Sequence, residues 1–140
     1  MPSVAEIKKG LQAAGFEVYR TRGEVVQVAE RVRENLLMDS GVFVDSRIVV
    51  GFVVRAQRTD FPNDADDALF ERARKLGTPA VSSGYAEASA EIRTVVDPGD
   101  PGRVIDRWCE VAYHKPVDSI EAAIDEVRFA LTLEKAAAPS

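Results

Sequence analysis

A chain of 140 residues is long enough for one globular domain, and 46% hydrophobic with 29% charged residues is typical of a folded protein rather than a disordered or fibrous one. The formal charge of −5 disfavours the basic surface on which nucleic-acid binding depends, so we expect no nucleic-acid partner. The single cysteine excludes an intramolecular disulfide, and no segment predicts a signal peptide or a membrane span, so we expect a cytoplasmic protein.

The N-terminal segment predicts a helix followed by a short strand. Ser3 and Glu6 have the spacing of a capping box, and apolar residues then recur at helical intervals as far as Gly15, which suits a left-handed C-terminal cap. From Phe16 onward apolar and polar side chains alternate, and the sequence Thr21-Arg22-Gly23 is typical of a turn. We therefore expect the strand to enter a hairpin.

Residues 24–38 fit two structures. Their valines fit the apolar stripe of an amphipathic helix, and Val26, Val28, Val32 and Leu36 also share one face of a long strand. The hairpin signal that precedes the segment favours a strand over residues 24–33.

The centre of the predicted sheet lies between residues 42 and 54. Asp39-Ser40-Gly41 predicts a turn, after which residues 42–44 and 48–54 are apolar almost throughout. Gly51, in the middle of the second run, indicates a bulge or the close approach of another element.

Asn63 has the character of a helix N-cap, after Phe61 and Pro62 close the preceding strand. The predicted helix runs to about Leu76, where Gly77 and Pro79 end it or bend it into a further turn. Acidic residues in its first turn suit the positive end of the helix dipole, and they lack the glycine and glutamate of a calcium-binding loop: Asp64, Asp66, Asp67. We therefore interpret them as helix-capping residues, not as metal ligands.

Clean alternation from Tyr85 to Val96 predicts a half-buried strand. Its inner face carries Ala86, Ala88 and Ala90, whose small volume suggests that a helix packs closely against them. A Pro-Gly turn over residues 97–102 follows, and the partner strand is expected over residues 104–117.

The C-terminal segment predicts the clearest helix of the chain. Asp118-Ser119-Ile120-Glu121 has a second capping-box pattern, and apolar residues follow at helical spacing from Ile120 to Leu131. We expect one domain over residues 1–135 and a frayed tail over 136–140. The fold class is α+β, an antiparallel sheet of about five strands with the N- and C-terminal helices on one face, in the order helix, two or three strands, helix, hairpin, helix.

In this element order, and in the Gly15-Phe16 pair that ends the first helix and opens the first strand, the chain resembles the type III secretion chaperone-like superfamily, which includes the YbjN-like sensory-transduction domains. The resemblance covers most of the chain and implies a dimeric, non-enzymatic protein that binds another polypeptide, often through an exposed apolar groove.

No catalytic, cofactor-binding or metal-binding residue is predicted. Cys109 and His114 are the nearest candidates for a nucleophile and its base, and five residues apart on one strand they point to opposite faces. No pattern of a nucleophile elbow or of a phosphate-binding loop is present in the sequence.

Four aromatic residues are candidates for binding: Trp108, Tyr113, Tyr85 and Phe43. If Ile105, Cys109, Val111 and Tyr113 face the core, Trp108 lies on the opposite face with Asp106, Glu110 and His114.

On that face Trp108 would be a candidate interface anchor, and packing beneath a helix or loop remains the alternative. We expect a non-catalytic adaptor or chaperone-like protein that binds another protein and forms a homodimer with Trp108 at its two-fold interface. The competing hypothesis is a small-molecule-binding domain or an enzyme that uses a pocket left by the three alanines.

Overall fold

The computed structural model describes residues 2–137, and their helices and strands follow one another in this order: α1 (Val4–Ala13), β1 (Val18–Arg22), β2 (Val25–Arg33), β3 (Leu36–Asp45), β4 (Val49–Gln57), α2 (Asp66–Leu76), α3 (Thr78–Ser82), β5 (Ala86–Asp97), β6 (Asp100–Pro116), α4 (Ile120–Ala137). The strands form one antiparallel sheet in the order β1-β2-β3-β4-β6-β5. The predicted α+β class is confirmed. The described residues contain six strands instead of about five, and four of them precede α2.

The described chain divides into two compact units. The first contains the residues up to Phe52 together with His114–Ala136, and the second contains Val53–Tyr113. Strands β4 and β6 each pass from one unit into the other. That the chain forms a single domain over residues 1–135 stays a prediction.

In the first unit, α1 and α4 supply the helical side of the core. The Ser3 hydroxyl accepts a hydrogen bond from the Glu6 amide in the predicted capping box, and Gly15 has the left-handed φ of 94° that its predicted cap requires. A Cβ at Gly10 would lie 3.0 Å from Ile120, so the two helices are in close contact. The buried hydrophobic side chains of this unit are Ile7, Leu11, Val26, Val28, Val42, Val44, Val50, Phe52, Ala123, Val127 and Ala130.

Strands β1, β2 and β3 are joined by two successive hairpins. Residues 25–33 form a strand, which confirms the interpretation favoured for the ambiguous segment. The pairing of Val26 with Val44, and of Val42 with Phe52 on β4, places these buried side chains on one face.

The turn predicted at residues 39–41 is wrong. These residues lie inside β3, where the register against β2 shifts between Gln27 and Ala29, and Gly41 has a φ of 88°. Residues typical of turns form a bulge here, because the Asp39 carboxylate accepts a hydrogen bond from the Gly41 amide and the buried Ser40 hydroxyl donates one to Val28 O at 2.7 Å.

Strand β4 pairs with β6 in antiparallel fashion. In the first unit the Val117 amide donates to Ile48 O at 3.0 Å, and in the second unit the Arg58 amide donates to Arg107 O at 2.9 Å. In the second unit β4, β6 and the helices between them enclose a core made of Val54, Ala56, Leu69, Ala73, Ala80, Tyr85, Cys109, Val111 and Tyr113.

Asn63 is not the N-cap of α2. The helix begins at Asp66, its N-cap is Ala65, and no side chain caps it. The helix ends at Leu76 as predicted, and the segment with Gly77 and Pro79 forms the further turn α3. The start of α2 is fixed instead by contacts that Asp66 makes with β6 and the end of β4, described below.

Strand β5 is correctly predicted as a strand, but its predicted burial is wrong. Ala86, Ala88 and Ala90 are all exposed, as are most other residues of the strand. β5 is the edge strand beside β6. The alternation of its residues therefore predicted a strand correctly, although neither face of that strand is buried.

The C-terminal helix begins at Ile120, within the segment predicted to start it. The side chain that caps it belongs to Ser119 and not to Asp118, because the Ala122 amide donates to the Ser119 hydroxyl at 3.1 Å. It continues to Ala137, two residues into the segment predicted as a frayed tail. The rest of that prediction, residues 138–140, lies outside the described residues.

Candidate functional site

Trp108 lies half-buried on β6, and its side chain points away from the buried face formed by Cys109, Val111 and Tyr113. The indole Nε1 donates a hydrogen bond of 2.8 Å to Glu110 Oε1, two residues along the same face. The indole is therefore held in one orientation on the sheet face opposite the core of the second unit.

Glu110 connects three strands around Trp108. Its Oε1 accepts from Arg55 Nε of β4 at 3.1 Å, and its Oε2 lies 3.3 Å from Arg93 Nε of β5. Partial burial by itself would raise the pKa of Glu110, but the hydrogen bonds from Trp108 and Arg93 and the charge of Arg55 outweigh it and hold this pKa below its usual value. Glu110 is therefore a charged acceptor that fixes the indole.

Asp66 makes a second ion-pair cluster in the same unit. Arg107 Nη2 and Arg58 Nη2 each donate to one of its carboxylate oxygens at 2.6 Å. The hydrogen bond from Arg107 is the largest influence that lowers the pKa of this carboxyl. The cluster joins the first turn of α2 to Arg107 of β6, the residue before Trp108. The sequence predicted Asp66 only as a capping residue.

The end of the β5–β6 hairpin extends beyond β4. Strand β4 ends at Gln57, and the next amide, that of Arg58, donates to Arg107 O. Residues 100–106 of β6 therefore extend beyond the end of β4 and have β5 as their strand neighbour. We call residues 91–106, which comprise the two strand ends and the turn between them, the arm.

The arm carries four exposed aliphatic side chains: Val95 at 43%, Val96 at 40%, Val104 at 51% and Ile105 at 56% exposure. The expectation that Ile105 faces the core together with Cys109 is therefore wrong, because β4 ends before it reaches this part of β6. Each pair is consecutive in sequence, so apolar groups lie on both faces of the arm. That break in alternation was the signal in the sequence that could have identified it.

The other three candidate aromatic residues pack inside the two units and do not lie on the face of Trp108 in the second unit. Tyr85 and Tyr113 are each 2% exposed and belong to the core of the second unit. In the first unit Phe43 meets His114 edge to face, with ring centroids 5.4 Å apart. A Cβ on Gly51 would lie 2.5 Å from the Phe43 ring, so the close approach predicted at this glycine is confirmed.

Cys109 and His114 occupy opposite faces of β6, as the sequence spacing predicted. Cys109 is buried, and burial raises the pKa of its thiol. Burial lowers the pKa of His114. A thiol that ionises less readily and that does not face the imidazole is a poor nucleophile.

The small-molecule hypothesis depended on a pocket beside Ala86, Ala88 and Ala90. None of these alanines lines either of the two cavities described next. One, of about 710 Å³, opens widely to solvent beside α2, and the other, of about 210 Å³, lies between β2, β3 and α4. Within residues 2–137, no group of three or more acidic, histidine or cysteine side chains is arranged to hold a metal ion.

No family model matches the chain, and neither a curated protein nor a solved structure matches it. The resemblance to the type III secretion chaperone-like superfamily therefore stays a prediction. None of the helices in the described part of the chain has both the length and the apolar character needed to cross a membrane.

Proposed function

We propose that this protein is a non-catalytic adaptor or chaperone-like protein that binds another polypeptide through the arm. The observation that carries the proposal is the exposure of four aliphatic side chains on a hairpin end that has no third strand beside it. Several aliphatic side chains left in water at one end of a hairpin are typical of a docking surface. A strand or a loop of a partner that packs on the arm would remove these aliphatic side chains from water.

The base of the arm is held in place before any partner arrives. The Asp66 cluster fixes Arg107, and the Glu110 network fixes Trp108, both immediately beside the arm. A preorganised surface loses less conformational entropy on binding, so more of the contact energy appears as affinity. Trp108 supplies the large aromatic side chain that is typical of the centre of a protein interface.

Charge indicates which kind of segment fits the arm. Residues 91–106 contain two arginines and four acidic residues, Glu91, Asp97, Asp100 and Asp106, for a net charge of −2. An extended partner segment with apolar side chains and interspersed basic residues would match both the aliphatic groups and this charge. We therefore propose an apolar, basic polypeptide segment as the partner.

Fluorescence anisotropy with two labelled peptides tests this proposal. One peptide alternates valine with lysine, and the other alternates valine with glutamate. The wild-type protein should bind the lysine peptide more tightly, and the Ile105→Ser variant should weaken that binding about tenfold, which corresponds to a loss of about 1.4 kcal/mol.

Val81→Ser is the matched control, because Val81 is 55% exposed on α3 outside the arm. This variant should bind like the wild type. Failure of the wild type to bind the lysine peptide, or equal effects of the two substitutions, would contradict the proposal.

A further inference from the structure

The two edges of the sheet differ in how they are protected against pairing with another strand. Strand β1 has five residues, its register against β2 is interrupted by a bulge, and it carries Arg20 and Arg22. Strand β5 has twelve residues, with neither proline, glycine nor lysine among them. Short length, proline and lysine are common protections of an edge. β5 is long and has neither proline nor lysine, and its charged side chains include Arg93 beside acidic residues.

The charges of β5 are arranged so that the strand complements itself. If two copies pair in antiparallel fashion about a two-fold axis at Ala90, Glu87 of each copy lies opposite Arg93 of the other, and Ser89 lies opposite Glu91. This arrangement contains two opposite-charge pairs and no pair of like charges.

Neighbouring registers are less favourable. A two-fold axis keeps each sheet face on the same side, so the register can change only in steps of two residues. One step in one direction places Glu91 opposite its own copy, and one step in the other places Glu87 opposite Glu91. Both bring like charges together, which disfavours pairing.

We propose that the protein forms a two-fold homodimer by edge-to-edge pairing of β5, centred on Ala90. The pairing satisfies the backbone amides and carbonyls along the free side of β5 and joins the two sheets into one. This inference does not rest on the proposed function, since it uses the strand edge, whereas polypeptide binding uses the aliphatic side chains of the arm. It replaces the expectation that Trp108 forms the dimer interface.

Cysteine crosslinking tests the register directly. In a two-fold pair centred on Ala90, an Ala90→Cys side chain faces its own copy at about 5 Å, whereas Ala86→Cys lies opposite Thr94 and about 27 Å from its copy. The shortest bis-maleimide crosslinker should therefore join Ala90→Cys chains and leave Ala86→Cys chains single. The wild type, whose Cys109 is buried, measures the background.

Charge exchange tests the proposed pairs in solution. Glu87→Arg should weaken the dimer about tenfold in sedimentation equilibrium, because two attractive pairs become two repulsive ones. Adding Arg93→Glu to the same chain should restore the wild-type dimer. Within one chain Glu87 pairs with Arg74, and Arg93 pairs with Glu110. Each substitution breaks one of these pairs, so if Glu87→Arg acted only by destabilising the monomer, adding Arg93→Glu would not restore the dimer.

Trp108→Ala distinguishes the two possible interfaces. It should leave the dimer intact, and a shift of this variant to monomer would instead support the face of Trp108. A wild type that is monomeric at hundreds of micromolar, or equal crosslinking at positions 86 and 90, would overturn the proposal.

Discussion

The ring of Phe43 covers Gly51 so closely that no side chain fits between them. A Cβ at this position would also lie 2.9 Å from His114 Cδ2, and both rings are held within the first unit. Glycine is therefore required here by space rather than by backbone conformation.

Gly51→Ala should lower the free energy of unfolding by about 1 to 3 kcal/mol, because the added methyl group forces the rings apart. Urea denaturation followed by far-UV circular dichroism measures this. Gly99→Ala is the control, since a Cβ there meets its nearest neighbour at 3.5 Å, and the change should stay within about 0.5 kcal/mol. Equal losses in the two variants would contradict the account of Gly51.

Glu110 makes the stability of the second unit depend on pH. Its pKa is lower in the folded protein than in an unfolded chain, so its ionised form stabilises the fold at neutral pH. That contribution is fully present above the unfolded pKa and is lost as the pH falls through the folded pKa.

Glu110→Gln should therefore be less stable than the wild type at neutral pH, and the difference should stay constant down to about pH 5 and shrink as the pH falls further to about 3. Chemical denaturation at a series of pH values measures the difference. A gap that stays constant or widens toward low pH would show that the carboxylate does not fix Trp108 through its charge.

At the scale of elements, the arm and the rest of β6 should differ in mobility although they form one strand. Residues 109–113 lie between β4 and β5, whereas residues 101–105 have only β5 beside them. Fewer neighbours mean that local opening costs less free energy.

Amide hydrogen exchange should therefore be faster at residues 102–105 than at 109–113. NMR can measure it residue by residue, with the interior of α4 as an internal reference for a well-covered element. Similar protection along the whole of β6 would mean that the arm is covered in solution.

Sequence patterns identified most elements and failed where tertiary context decides. Capping at Ser3 and the strand preference of residues 24–33 are local signals, and both are confirmed. The pattern at residues 118–121 located the start of α4, although the capping hydroxyl belongs to Ser119. Asp39-Ser40-Gly41 favoured a turn because the same hydrogen bonds stabilise turns and bulges. The alternation of β5 could not show that its alanines face solvent, because alternation contains no information about neighbouring elements.

The candidate site was only partly predictable for the same reason. That Trp108 and Glu110 share one face of β6 could be predicted, because alternate residues of a strand point to the same side. The contribution of Arg55 and Arg93, far away in sequence, depends on strand order, which a single sequence does not specify. The exposure of Ile105 depends on where β4 ends.

At the scale of the whole molecule, the acidic excess is concentrated in the part of the chain that contains the arm. Residues 81–140 have eleven acidic and six basic side chains, whereas residues 1–80 have twelve of each. Long-range attraction between this charge and a basic partner should be weakened by salt. Binding of the lysine peptide should therefore weaken as the salt concentration is raised. The part of the affinity that comes from burial of aliphatic side chains should remain at high salt.

Site-specific photocrosslinking in the native cell tests most directly whether the arm binds another protein. A photoreactive residue at position 105 should give a defined crosslinked species that contains a different polypeptide, and the same residue at position 81 should not, although both positions are exposed. Crosslinks confined to a second copy of the chain, or equal products from the two positions, would contradict a polypeptide-binding role for the arm.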